Sequence, residues 1–133
     1  MYLDDQAIRS FAKLLEDYQT VIIHRHVRPD PDAIGSQLGL AELIKQGDPN
    51  KRVLAAGSQS AGLSWLGEMD PVSREDYQDA LVIVVDTANQ ERIDGKDYQQ
   101  GAALVKIDHH LLVDDYGEVR LLQDKASSTA EII

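Results

Sequence analysis

Five consecutive apolar residues, Leu81-Val82-Ile83-Val84-Val85, run directly into a carboxylate, Asp86. In an extended strand successive side chains point to opposite faces, so a run with no polar member has no face to give to water. Such a strand must be covered on both sides, as the central strand of a parallel sheet is. The run is also far below the ~20 apolar residues that a membrane-crossing helix needs.

The rest of the chain alternates in the same sense. Val21-Ile22-Ile23 reads as a buried strand ending in His24-Arg25-His26, and Arg52 to Ala56 as a second short strand. Ala103 to Ile107 is another, stopping at Asp108-His109-His110, and Val119 to Leu122 reads as an edge strand. Leu3, Ala7, Ile8, Phe11, Leu14, Leu15 and Tyr18 make an apolar stripe at helical spacing, with Asp4 and Asp5 at its dipole-favoured start. Pro29 and Pro31 exclude a helix from the loop after the first strand, and Asp32 is placed as N-cap of a helix from Ala33 to about Gln46. Gly47-Asp48-Pro49-Asn50 supplies the turn that ends it. Gly57 to Gly62 is a loop of small residues, and Leu63, Trp65 and Leu66 open a short helix. Ser128, three residues before Glu131, forms a capping box for a last helix. The chain stops at Ile133, one turn into that helix, so the domain is expected to be truncated at its C-terminus. Strands alternating with helices predict an α/β fold with a doubly wound, mainly parallel sheet.

Composition narrows the function. At 133 residues and 43% hydrophobic content the chain fits one domain with a single core. It has no cysteine, which excludes a disulfide scaffold, a thiolate zinc site and a thiol nucleophile, and suits a reducing compartment. The N-terminus lacks the basic and apolar regions of a secretory signal, so a cytoplasmic location with no membrane partner is expected. Thirteen basic against 23 acidic residues give a net charge of −10, which disfavours long nucleic acid and anionic lipid. A small phosphorylated substrate stays compatible, because a bound divalent metal reverses the local potential.

Ligands of open parallel sheets bind outside the carboxyl ends of the strands. Three predicted strand ends carry His26, Asp30 and Asp32, then Asp86, then Asp108, His109 and His110, and all four histidines lie in two of these segments. Imidazole nitrogen and carboxylate oxygen are ligands for manganese, iron or zinc, and carboxylate-rich sites lean toward manganese. Asp30 and Asp32 can point at neighbouring metals, and Asp86 can bridge two with its two oxygens. Two metals about 4 Å apart clamp a phosphoester for in-line attack.

His26-Val-Arg-Pro-Asp30-Pro-Asp32-Ala-Ile-Gly-Ser36, Val84-Val85-Asp86 and Asp108-His109-His110 resemble three successive motifs of the DHH phosphoesterase superfamily. The stretch from His24 to Leu40, with Ala126-Ser-Ser-Thr-Ala-Glu-Ile-Ile133, is most similar to the nanoRNase and pAp phosphatase branch. The resemblance covers nearly the whole chain, and it implies a five-stranded parallel DHH domain followed by a smaller DHHA1 domain that grips substrate. It also implies that His26 and Asp30 hold one metal, Asp32 and His109 the other, and that Asp86 bridges them. Asp108 would orient or coordinate, and His110 would contact the phosphate. One further metal-binding aspartate and the whole DHHA1 domain are absent from residues 1–133. The implied activity is a metal-dependent phosphodiesterase or exonuclease acting on short oligoribonucleotides, with pAp as a further substrate. Cleavage of cyclic di-AMP or pApA is the alternative within that class, and a catalytically inactive metal-binding fragment is the alternative outside it. A homodimer stays open.

Plainer roles compete at several positions. His24 shares a strand face with His26, yet a histidine deep in a strand more often packs or braces a ligand than binds metal. Ser36 serves either a phosphate or a hydrogen bond within its helix. Gly35 and Gly39 read as allowing close helix–sheet packing, and Ser127 to Thr129 as a helix cap that also suits an anion. Asp114, Asp115 and Asp124 read as solvated charge, and Trp65 as core.

Overall fold

The structure is a computed structural model that describes residues 5–26, 31–57, 67, 69–87, 93–94, 96–108 and 119–122. Helix α1 (Asp5–Asp17) leads into β1 (Thr20–His24), and α2 (Pro31–Gly47) connects β1 to β2 (Arg52–Ala55). Strands β3 (Ala80–Val85), β4 (Ala103–Asp108) and β5 (Val119–Leu122) follow. The strand order is β2-β1-β3-β4-β5, and every pairing between these strands is parallel. In this doubly wound order the sheet grows one way from β1 and then the other way from β3, leaving a switch point between those two strands.

The all-apolar run sits where its pattern requires. All six residues of β3 are buried, between β1 on one side and β4 on the other. Leu81, Ile83 and Val85 join Val21, Ile23, Val105 and Ile107 on the face covered by Leu40, Ala41 and Ile44 of α2 and by Ile8, Phe11, Leu14 and Leu15 of α1. Val82 and Val84 join Ile22 on the other face, under Tyr77, Ile93 and Tyr98. Each fully buried Val, Leu or Ile contributes about 1.5–3 kcal/mol, so the central strands anchor the sheet.

Several boundaries differ from expectation. Helix α2 begins at Pro31 and not at Ala33, because proline's fixed φ suits the first turn and its missing N–H has no partner there to lose. Asp32 therefore lies inside the first turn and is not the N-cap. Strand ends shift by about one residue: β1 takes in Thr20 and His24, β2 stops at Ala55, β3 gains Ala80, and β4 gains Asp108. Two 3-10 turns, Arg74–Tyr77 and Lys96–Gln100, are not expected from the sequence; they carry Tyr77 and Tyr98 onto the second face. Gly35 and Gly39 do not serve close packing, since a Cβ at either would meet nothing within 4 Å among the described residues. The expected helices at 63–66 and 128–133, Trp65, Asp114, Asp115 and Asp124 lie outside the described residues.

A groove of about 460 Å³ lies between the C-terminal ends of α1 and α2, lined by Leu15, Leu40, Leu43 and Ile44 and rimmed by Glu16, Asp48 and Lys51. Helix α2 runs from the carboxyl end of β1 back to the start of β2, so this groove is at the amino edge of the sheet, opposite the switch point.

Candidate active site

Strands β1 and β3 stay in register as far as His24 and Val84, and beyond that pair they part. On the β3 side Asp86 turns in a left-handed conformation, φ 55°, while its N–H still reaches the Ile107 carbonyl of β4 at 2.9 Å. On the β1 side His26 forms an isolated antiparallel bridge with Ile93, and the Asp94 N–H donates to the Arg25 carbonyl at 2.8 Å. The tail of β1 thus leaves β3 and takes new backbone partners from residues 93–94. In the gap that opens, His26 Nε2 stands 3.4 Å from Asp86 Oδ2, with Asp86 only 2% exposed.

A good N–H···O bond is shorter than this separation. Two ligands of one ion, each about 2.0–2.2 Å from it at roughly tetrahedral or octahedral angles, lie about 3.0–3.5 Å apart, so the pair fits a divalent metal. A buried carboxylate beside an imidazole is also the right donor chemistry for one. The left-handed backbone, which aspartate tolerates, turns the residue out of the line of β3 at this point. Thr87 follows in the same buried turn, its hydroxyl donating to the Val85 carbonyl at 3.0 Å.

Helix α2 follows the tail of β1 in the chain. Ser36 is 1% exposed and its hydroxyl donates to Asp32 Oδ1 at 3.3 Å, the helix-internal role; it braces a candidate ligand. One residue on, Gln37 Nε2 donates to the Ile23 carbonyl at 2.6 Å and the Ala56 carbonyl at 2.7 Å, pinning the ends of β1 and β2 to the helix. Asp108 closes β4 one residue after the Val85–Ile107 register pair, which sets it at the strand end beside Asp86. Asp30, His109 and His110 lie outside the described residues. Among the described residues no three His, Asp or Glu side chains form a metal cage; the contact present is that of His26 with Asp86.

His24 is not part of this donor set. Its Nδ1 lies 2.8 Å from the Asp94 carbonyl, which can only accept, so Nδ1 carries the proton. Nε2 then accepts from the Tyr77 hydroxyl at 2.7 Å, and both ring nitrogens are engaged. The same corner holds Arg25, fully buried and ion-paired with Asp94. Asp94, Arg25 and Tyr77 do not stand out in the sequence. Their one local signal is a charged residue wedged between two histidines at the end of an apolar strand.

Residues 20–133 match the DHH family, N-terminal domain. The chain belongs to the DHH family. It is 53% identical over 116 residues to the Bacillus subtilis protein described as bifunctional oligoribonuclease and PAP phosphatase NrnA, covering 87% of this chain and 37% of that one. It is 51% identical over 127 residues to the Streptococcus mutans protein described as probable bifunctional oligoribonuclease and PAP phosphatase NrnA, covering 96% of this chain and 41% of the other. The chain therefore spans about two fifths of the length of these relatives. Among solved structures it resembles an exopolyphosphatase-related protein from Bacteroides fragilis, with a TM-score of 0.80 and 26% identity over 98% of this chain and 42% of the other. The parallel sheet described above is thus the DHH fold. DHH phosphoesterases use divalent metal ions, which agrees with the His26–Asp86 pair. Among the described residues no helix is long and apolar enough to cross a membrane.

Proposed function

We propose that this DHH domain carries the metal-binding half of a phosphodiesterase that hydrolyses very short oligoribonucleotides and removes the 3′-phosphate of pAp. The observation that carries the proposal is Asp86, held buried in a left-handed turn at the switch point with its carboxylate toward His26. The relatives described as oligoribonuclease and PAP phosphatase supply the substrate class. His26 with Asp30 would hold one divalent ion and Asp32 with His109 a second, with Asp86 available to both, and the balance of carboxylate and imidazole would favour manganese. When bound, such ions polarise a phosphate and make water a competent nucleophile near neutral pH.

The residues of the chain perform the remaining tasks. Asp86 and His26 are set near each other by the backbone of two parting strands, and Ser36 restrains Asp32. Asp108 orients the cluster from the end of β4, and His110 donates to the phosphate oxygens as charge grows on them. The net charge of −10 on this domain disfavours a longer strand, whose added phosphates it would repel.

The test offers the protein at its natural length pAp, pApA, cyclic di-AMP, a five-nucleotide RNA and a long RNA, side by side with manganese. Turnover of pAp and the five-nucleotide RNA, with the long RNA slower, is expected. Preferred cleavage of cyclic di-AMP, or no turnover of any of the five, would overturn the assignment.

A further inference from the structure

We infer that Asp94, together with Arg25, is a positioning residue for His26. The inference rests on the proposed reading of His26 as a metal ligand. Parting β1 from β3 leaves the backbone of Arg25 and His26 without its ladder, and buried peptide groups need replacements. Residues 93–94 supply them. Asp94 makes three attachments to the tail of β1: its N–H to the Arg25 carbonyl, its carbonyl to the Nδ1–H of His24, and its carboxylate to the Arg25 guanidinium. Ile93 adds the bridge to His26 itself. The direction in which His26 leaves the chain is therefore fixed from residues about seventy positions away in sequence.

The guanidinium is fixed in turn. Arg25 is fully buried, and a Cβ at Gly57 would run into its Nη1, so the loop after β2 closes directly over it. His24 is held at its other nitrogen by Tyr77, which the 3-10 turn Arg74–Tyr77 brings to the sheet. Three connections, those leaving β2, entering β3 and leaving β3, thus converge on the two residues that precede His26. A buried ion pair is poorly suited to add stability, since desolvation offsets most of its attraction. Its charge-assisted contact from Arg25 Nη1 to Asp94 Oδ2, with the backbone anchors beside it, suits it to hold one orientation, as the outer partners of metal-binding histidines do.

The test uses the protein at its natural length, with Arg25→Met/Asp94→Ala, Asp94→Asn, His26→Ala and the combination of His26→Ala with the double variant. Replacing both charges by apolar groups avoids stranding one of them, so the double variant is expected to unfold cooperatively, within a few degrees of the parent. In the metal-free protein its His26 ring resonances move, and its affinity for manganese falls about 10- to 100-fold. Asp94→Asn, which keeps an acceptor for Arg25 without the charge, moves the same resonances the same way by less. Added to His26→Ala, the double variant costs no further affinity, because both act through one ligand. Unmoved His26 resonances overturn the inference, and Asp94→Asn alone decides this if the double variant does not fold. Moved resonances with manganese affinity unchanged, including in His26→Ala, would leave the positioning role standing and remove the metal reading instead.

Discussion

Asp79 and Asp86 share a left-handed backbone, φ 58° and 55°, and are put to different uses. Aspartate tolerates this region better than most residues. Asp79 spends it in the exposed turn that starts β3, whereas Asp86 spends it buried at the end of the same strand, where the turn directs a carboxylate into the gap. A third aspartate, Asp76, works in structure alone. Its carboxylate accepts from the Ser73 N–H at 2.7 Å, the Ser73 hydroxyl at 3.1 Å and Arg52 Nη1 at 2.6 Å. The Ser73 backbone bond first, and Arg52 next, hold its carboxyl below its ordinary 3.8. A depressed folded pKa stabilises the fold above the unfolded value, and the contribution is lost as pH falls through the folded value. Asp76→Asn should therefore lower the urea midpoint at neutral pH. The gap to wild type should begin to close as pH drops past 3.8 and vanish below the lowered folded pKa. A gap that keeps its size across that range would show that the charge on Asp76 does not stabilise the fold.

At the scale of elements, two glycines separate helix propensity from close approach. Gly39 lies exposed inside α2 with open space where a methyl group would stand, so Gly39→Ala should raise stability by about 0.5–1 kcal/mol. Gly57 sits at φ 123° directly over Arg25, whose guanidinium is buried and tied to Asp94. Gly57→Ala should cost about 1–3 kcal/mol from backbone strain alone. Urea unfolding of both variants checks the pair, and equal effects of one sign would refute this distinction. The strands were legible in the sequence because burial on both faces leaves an unbroken apolar run, and α1 because one buried face leaves a stripe. The start of α2 was less so, since Pro31 reads equally as a loop residue and as a first-turn residue. The 3-10 turns were invisible, being too short for any period and marked only by Tyr77 and Tyr98. The clamp around His26 could not be read at all: it joins residues about seventy positions apart, and neither Arg25 nor Asp94 carries a local mark of its partner.

For the whole molecule, the parallel order β2-β1-β3-β4-β5 does what the spacing of the motifs required, bringing the ends of β1, β3 and β4 to one edge. The sequence showed which residue types would meet there; the parting of β1 from β3 and the left-handed turn at Asp86 supply how His26 and Asp86 come within 3.4 Å. On the proposed reading this gap is a metal centre in which Asp86 is shared. Calorimetric titration of manganese into the protein at its natural length, wild type beside Asp86→Asn, tests it most directly. Asparagine tolerates the same left-handed backbone, so the variant should keep its fold while losing the charge and one donor oxygen. Two equivalents should bind to the wild type and at least one should be lost in Asp86→Asn; equal stoichiometry and affinity in the two proteins would show that Asp86 is not a shared ligand.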